Sequence, residues 1–310
     1  MINLNVLVPG AGGPAAINTI KSLRLSKFDG QIVSTDSDPL SAGFFLSDLY
    51  YVVPIVSDKS FIDVLIKIIK KNNIKVLMPS SGYDIYQYSI HNKLLSEMGV
   101  QAVVSRKEVL DVCQDKLLSF KKLSNRFPFA FSTLYIKQID KFPVIAKPRF
   151  GKGSKDIIKI EDLADLKYVT AKYNNMIFQE YLPGVEYSVD VLSDLNENPL
   201  VAIPRIRIQT KAGISVKGKI IRNQSIENLC MDLAKHLGIK GPCVIQLKQS
   251  ESGELKIIEI NPRFGGGTFF STLAGINFPA LILDMVCNKE IVLPEVSEIT
   301  ILRYYEEVVL

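Results

Sequence analysis

Tryptophan is absent from this chain of 310 residues, which has only two histidines and four cysteines. His91 and His236 both fall in helical patterns and read as helix-surface residues, so a Ser-His-Asp triad is unsupported. Cys113, Cys230, Cys243 and Cys287 are widely separated in apolar surroundings and lack metal-ligand or disulfide spacing, which argues against zinc and a disulfide framework. No apolar run approaches the length of a membrane-spanning helix, and no basic segment precedes the first apolar run as in a signal peptide. The expectation is a cytoplasmic protein that does not engage a membrane. The net charge of +5 is mild and spread along the chain, and Lys67, Lys70 and Lys71 read as a solvated helix end, so nucleic acid is not an expected partner. Low-complexity tracts and short repeats are also missing. What remains is ordinary globular composition, 47% hydrophobic and 22% charged, in a chain long enough for about two domains.

The first hundred residues alternate between strand and helix patterns. Strands are predicted at 4–8, 32–35, 76–78 and 102–104, and helices at 15–25, 60–72 and 85–98. This order implies a parallel sheet covered by helices, with ligands at the carboxyl ends of the strands. Two loops fall there, Pro9-Gly10-Ala11-Gly12-Gly13 and Pro79-Ser80-Ser81-Gly82-Tyr83-Asp84. The pattern changes between about residues 105 and 115. A helix at 109–122 is followed by strands at 142–147, 156–160, 177–181 and 187–192, a helix at 226–237, and a hairpin of strands at 244–248 and 255–260. That half reads as α+β with antiparallel sheets. Residues 299–310 alternate enough for a closing strand through Tyr304-Tyr305-Glu306-Glu307, or for an edge offered to a second copy in a homodimer.

Three segments carry chemistry. In Ile257-Ile258-Glu259-Ile260-Asn261-Pro262-Arg263 a carboxylate, an amide and a guanidinium alternate on an apolar strand. Oxygen donors of this kind suit Mg²⁺, and the arginine suits phosphate. Lys147 closes the run Phe142-Pro143-Val144-Ile145-Ala146-Lys147, and the loop Arg149-Phe150-Gly151-Lys152-Gly153-Ser154-Lys155 follows it. Glycine amides and lysines there form a flap suited to phosphate, without the spacing of a P-loop. In Gln179-Glu180-Tyr181-Leu182-Pro183-Gly184-Val185-Glu186, extended backbone could pair with an adenine edge while Glu186 accepts ribose hydroxyls. Each segment read alone is also compatible with ordinary surface polarity.

In this order, the lysine strand, glycine flap, Gln-Glu-Tyr-Leu segment, later acid and Glu-Ile-Asn-Pro-Arg strand resemble the ATP-grasp superfamily. The resemblance covers nearly the whole chain and leans toward carbamoyl phosphate synthase large-subunit units and stand-alone carboxylate–amine ligases. It implies a pre-ATP-grasp, Rossmann-like domain over residues 1–110 and a two-lobed ATP-grasp domain over 111–290. Within the latter, 111–185 would be the lid and nucleotide lobe and 186–290 the metal and substrate lobe, with 291–310 as a closing segment. By matching position, Lys116 and Lys147 would bind ATP phosphates, with Gly151, Gly153 and Ser154 in the lid. Glu180, Tyr181 and Leu182 would hold adenine and Glu186 the ribose. Gln246, Glu259 and Asn261 would coordinate Mg²⁺, usually two ions in this superfamily. Arg263 would stabilise the transferring phosphoryl group, with Arg205 and Lys211 as further candidates facing substrate. Many members place a carboxylate where this chain has Gln246; carbamoyl phosphate synthase units also carry glutamine there.

The activity implied is ADP-forming ligation of a small carboxylate to an amine. A carbamoyl-phosphate-synthase-like phosphotransferase subunit and a non-catalytic ATP-binding module are the alternatives within the resemblance. An NAD-dependent oxidoreductase is a rival outside it, because Gly10-Ala11-Gly12-Gly13-Pro14-Ala15 fits a dinucleotide fingerprint and Asp36 follows the second strand. The dehydrogenase reading leaves Glu259, Asn261 and Arg263 without a role. Side chains in the loops do not spell out the carboxylate or the amine.

Overall fold

A computed structural model describes residues 4–151, 153 and 155–309. Ser154 and Lys152, two of the expected flap residues, lie outside the described residues. The N-terminal part is a parallel sheet of β1 (Asn5–Pro9), β2 (Ile32–Asp36), β3 (Leu49–Val52), β4 (Ile74–Leu77) and β5 (Gln101–Ala102), in the order β3-β2-β1-β4-β5. Helices α1 (Pro14–Arg24) and α2 (Phe61–Lys71) connect strands as crossovers. Proline at the first position of α1 suits a helix start, where its missing N–H is not needed. The strand order reverses between β1 and β4, so their two loops open side by side.

The expected helix at 85–98 is two short helices, α3 (Ile85–Ile90) and α4 (Asn92–Glu97), interrupted at His91. The one expected at 109–122 is likewise α5 (Lys107–Gln114) and α6 (Lys116–Leu123). Here the cause is visible: Asp115 is extended and accepts the amides of Leu117 and Leu118, capping α6.

A four-stranded antiparallel sheet follows, made of β6 (Ser132–Thr133), β7 (Val144–Pro148), β8 (Ile158–Ile160) and β9 (Met176–Glu180) in the order β6-β9-β7-β8. Helix α7 (Leu163–Lys172) packs on it through Leu166 and Val169. The largest sheet contains β10 (Glu186–Ser193), β11 (Pro199–Lys211), β12 (Ile214–Ile220), β13 (Pro242–Gln249), β14 (Leu255–Asn261) and β15 (Thr300–Leu302). Its order is β14-β13-β10-β11-β12-β15. The long β11–β12 hairpin is only hinted at in the sequence by the alternation at Arg205 and Arg207. Its turn is Ala212-Gly213, both with positive φ, which matches the twist of a tight hairpin. β15 closes the sheet beside β12, while Tyr304 and Tyr305 lie beyond it and are exposed.

Helix α8 (Gln224–Leu237) covers the large sheet through Ile226, Cys230, Leu233 and Ala234, and ends at Gly238 in the left-handed conformation. After β14, α9 (Phe269–Leu273) and α10 (Phe278–Val286) turn back against α1. One apolar cluster therefore joins Val6, Val8 and Ile20 with Ile203, Phe264, Phe270 and Phe278. Full burial of each such phenylalanine stabilises the fold by about 2 kcal/mol, so the N-terminal sheet and the large sheet share a core. The expected fold class, a parallel α/β unit followed by antiparallel α+β sheets, is found. Among the described residues no helix is long and apolar enough to cross a membrane.

Candidate active site

Strand pairing places Gln246 of β13 directly opposite Glu259 of β14. Their side chains share one face with Asn261, two residues farther along β14. A β-bulge between the Gln246–Glu259 and Leu247–Ile257 pairs leaves Ile258 as the extra residue. Strict alternation would put Ile257 on the face of Glu259; the bulge instead lets Ile257 and Ile260 both enter the core. It also frees the Ile258 carbonyl, which accepts a hydrogen bond from Lys147 Nζ at 3.1 Å.

Lys147 sits on β7, which has a partner strand on each side, and its side chain is almost fully buried. Its second acceptor is Gln179 Oε1 at 2.8 Å, and the Gln179 amide donates to Ser132 Oγ at 3.0 Å. That relay presents the carbonyl end of Gln179 to the lysine. Burial pushes the Lys147 ammonium down to about 8, the Lys116 cation adding to it while Glu259 and Glu186 oppose. An ammonium under this strain is poised for an arriving anion.

Lys116 begins α6 and donates to the Gly151 carbonyl at 3.0 Å, with Glu259 Oε1 at 3.4 Å. Asp115 holds it there. Besides capping α6, Asp115 receives a two-pronged contact from Arg149, Nε to Oδ1 at 2.8 Å and a terminal nitrogen to Oδ2 at 2.6 Å. Burial works upward on Asp115, yet Arg149 and the helix amides hold its carboxyl below the usual range. The start of α6 is thus tied to the base of the glycine flap.

The expected adenine segment leaves the sheet after Glu180. The Glu180 carboxylate accepts from Lys256 Nζ at 2.8 and 2.9 Å and from the Phe131 amide at 2.7 Å. Its side chain braces the strand end, and the backbone of Tyr181 and Leu182 runs on past the last pairing. Leu182 is buried, while the Tyr181 ring lies between Lys159 and Lys248, 4.6 and 5.8 Å from its centroid. Glu186 begins β10 and is ion-paired with Arg207 of β11.

Arg205 and Arg207 share a face of β11. Arg205 is enclosed, donating to Asp190 Oδ2 at 2.8 Å and the Gly267 carbonyl at 3.1 Å, against the Phe270 ring. Ser271 completes this set with a 2.7 Å hydrogen bond to the same Asp190 oxygen. Arg207 also donates to the Gly213 carbonyl at 2.7 Å. Arg263 lies just beyond β14, donating to the Phe264 carbonyl at 2.8 Å and to Asn261 Oδ1 at 3.3 Å. Burial lowers its guanidinium pKa and the Glu259 charge opposes. Lys211 stands apart, exposed at the end of β11 with Nζ 4.9 Å from the Tyr305 ring centroid.

These side chains meet in two adjoining cavities. The smaller, about 240 Å³, has Ile145, Leu182 and Ile258 among its apolar lining and Lys116, Lys147 and Glu259 among its charged lining. The larger, about 660 Å³, opens between the loops after β1 and β4 and the end of β14, reaching Ser80, Asp84, Asn261 and Arg263. Gln246, Glu259 and Arg207 line both. A third space of about 630 Å³ reaches Glu259, Asn261 and Arg263 from the flap side. Glu259 with Gln246 and Asn261 gives an oxygen-only donor set with one carboxylate, which fits a Mg²⁺ ion that keeps waters and phosphate oxygens as its other ligands. Among the described residues no group of three or more His, Cys, Asp or Glu could hold a metal, so no all-protein cage competes with this reading.

The glycine loop after β1 borders the larger cavity through Gly10 and Gly13. A Cβ on Gly10 would lie 2.9 Å from Ser81 Cβ, and one on Gly12 would lie 2.8 Å from Ser41 Oγ. Both Asp36 oxygens are engaged, by the amides of Gly12 and Asp38. The loop therefore faces the same cavity as Asn261 and Arg263, residues for which the oxidoreductase rival has no role.

Sequence reasoning missed Ser132 and Lys256, and named Arg149 and Gln179 only as members of their segments, without the contacts they make; Asp115 was given no role in the site. Asp115 carried a signal, an acid directly before the lysine in the middle of a helical pattern. The Arg149–Asp115 contact joins the flap to a helix cap, and those of Gln179 with Ser132 and of Lys256 with Glu180 join strands distant in sequence.

Two family models match. Residues 172–308 match "ATP-grasp in the biosynthetic pathway with Ter operon", and residues 7–103 match "PylC-like, N-terminal domain". The carbamoyl phosphate synthase large chain of Clostridium botulinum strain Eklund 17B is 25% identical over 276 residues, covering 80% of this chain and 25% of that protein. The chain thus spans about a quarter of the length of that relative. Among solved structures, the biotin carboxylase domain of Hydrogenobacter thermophilus 2-oxoglutarate carboxylase, described as a dimer with MgADP, ADP and bicarbonate, superposes with a TM-score of 0.73 at 14% identity. That match covers 94% of this chain and 71% of the other. An L-amino acid ligase from Bacillus licheniformis gives 0.67 at 15% identity, covering 92% and 75%. N5-carboxyaminoimidazole ribonucleotide synthetase from Thermotoga maritima gives 0.66 at 16%, covering 96% and 78%. Residues 172–308 are thus identified as an ATP-grasp domain and residues 7–103 as a PylC-like N-terminal domain.

Proposed function

We propose that this protein is an ATP-dependent carboxylate–amine ligase that releases ADP and phosphate. The observation that carries the reading is the junction of the two cavities at Glu259, where Lys116, Lys147, Gln246, Asn261 and Arg263 converge. In this reading the smaller cavity takes the nucleotide. Leu182 and Ile145 face adenine, the backbone of Glu180–Leu182 pairs with its edge, and Glu186 accepts ribose hydroxyls. Lys116, Lys147 and the flap glycines Gly151 and Gly153 bind the phosphates. Gln246, Glu259 and Asn261 would hold Mg²⁺, two ions by analogy with the superfamily, and the metal supplies charge neutralisation on the phosphate oxygens.

The larger cavity takes the carboxylate. A carboxylate oxygen attacks the γ-phosphorus and the bond to the β-phosphate bridging oxygen breaks, leaving ADP and an acyl phosphate. The amine nitrogen then attacks the acyl carbon, phosphate departs with its bridging oxygen, and the nitrogen loses a proton. Arg263, near both cavities' junction, offsets charge on the transferring group; such transfers need positioning and charge neutralisation more than a covalent catalyst. Arg205 acts at one remove, through Asp190 and the Gly267 carbonyl.

The match to part of a carbamoyl phosphate synthase large chain favours a second reading, a phosphotransferase unit acting on bicarbonate within a larger assembly. A Mg-ATP screen of pooled amino acids, carboxylates and amines, with bicarbonate as a separate arm and Glu259→Ala as control, separates the two. Pool-dependent ADP release that the variant lacks supports ligation; release with bicarbonate alone supports the second reading. Intact Mg-ATP binding without release in any arm would mean a binding module.

A further inference from the structure

Arg207, ion-paired with Glu186, is a link between the cavities that the ligase reading leaves without a role. The Arg207 side chain is 6% exposed and Glu186 is 28% exposed. Arg207 lines both cavities, whereas Glu186 lines the smaller one alone. Its terminal nitrogens are taken by Glu186 and by the Gly213 carbonyl. Its Nε–H is buried with no hydrogen-bond partner among the described residues. A buried guanidinium short of one acceptor favours an added anion, and the larger cavity is the side from which one can arrive. Glu186 is the carboxylate the nucleotide would use.

We propose that Arg207 is a positioning residue that couples the two cavities. A substrate carboxylate in the larger cavity engages Arg207, weakens its hold on Glu186, and so releases Glu186 to accept the nucleotide's hydroxyls. The inference rests on the ligase reading for its assignment of nucleotide to the smaller cavity. Coupling of this kind is reciprocal: the anion tightens nucleotide binding by the factor by which the nucleotide tightens the anion. The nearby Arg205 also lines the larger cavity and has an unpartnered Nε, but its carboxylate partner Asp190 is fully buried and neither residue lines the smaller cavity, so that pair does not link the two.

The experiment is calorimetric titration of Mg-ADP into the full chain in acetate and in chloride at equal ionic strength. Acetate is the carboxylate probe. In the wild type the Mg-ADP affinity is expected to be about fivefold or more higher in acetate. In Arg207→Gln the acetate-to-chloride ratio falls to one, whatever the absolute affinity. Glu186→Gln keeps the guanidinium but not the charge it holds, and also gives a ratio of one, so the test survives if either variant folds poorly. No acetate effect in the wild type, or an effect that persists in both variants, overturns the inference while leaving the nucleotide site standing. Failure of Mg-ADP to bind the wild type at all overturns the ligase reading and the inference with it.

Discussion

Two arginines, two residues apart on β11, meet two carboxylates on β10, and they end in different situations. Arg205 and Asp190 are 3% and 0% exposed and also bond Gly267 and Ser271, with Arg205 Nε and Asp190 Oδ1 left without a hydrogen-bond partner among the described residues. Arg207 and Glu186 stand at the wall between two cavities, with the carboxylate partly open. Both are arginine–carboxylate pairs between the same two strands; the full burial of Asp190 makes one a cross-brace of the sheet, while the partly open Glu186 leaves the other available to a ligand. Charge in a strand pattern locates a candidate, and the surrounding packing decides what it does.

The largest test of this contrast is stability. Asp190→Ala leaves the Arg205 charge buried and unpaired, and should lower the unfolding free energy in urea by about 3–5 kcal/mol. Glu186→Ala, whose partner Arg207 is buried but borders two cavities that water can enter, should lose less, about 1–3 kcal/mol. Similar losses in both would mean that the two pairs are alike.

The contrast extends to lysines. Lys147 is buried between Gln179 and the bulge carbonyl, so Lys147→Met should weaken Mg-ADP binding by the loss of charged phosphate contacts, about 1.5–3 kcal/mol. Because its pKa is held near 8, nucleotide affinity should fall as pH rises through about 8, where the free protein loses the proton that the bound phosphates require. For stability the sign is opposite. The fold favours neutral Lys147, so wild-type stability should rise relative to Lys147→Met between about 8 and 10.5, where the unfolded chain still holds the proton. Parallel pH profiles for the two proteins would contradict the burial account. The smallest effect belongs to Lys211→Ala, outside both cavities, which should change stability and Mg-ADP affinity by no more than about 0.5 kcal/mol.

Much of this was legible in the sequence, for identifiable reasons. The alternation of the first hundred residues gave the parallel sheet, and the Glu259-Ile260-Asn261 spacing gave a shared face. Register was not legible. That Gln246 stands opposite Glu259, and that Ile258 bulges to receive Lys147, depends on pairing between separate strands. Helix breaks at His91 and Asp115 were hidden because apolar periodicity continues across them. The difference between Arg205 and Arg207 was equally hidden, since both alternate correctly and only the return of α9 against the sheet encloses one of them.

The central claim is transfer of the γ-phosphoryl group to a substrate carboxylate at the Glu259 junction. It is tested most directly by supplying the carboxylate found in the screen labelled with ¹⁸O and analysing the products with its amine partner. The account predicts ADP together with phosphate that carries one ¹⁸O from the carboxylate, neither formed by Glu259→Ala. AMP and pyrophosphate, or phosphate free of label, would contradict it.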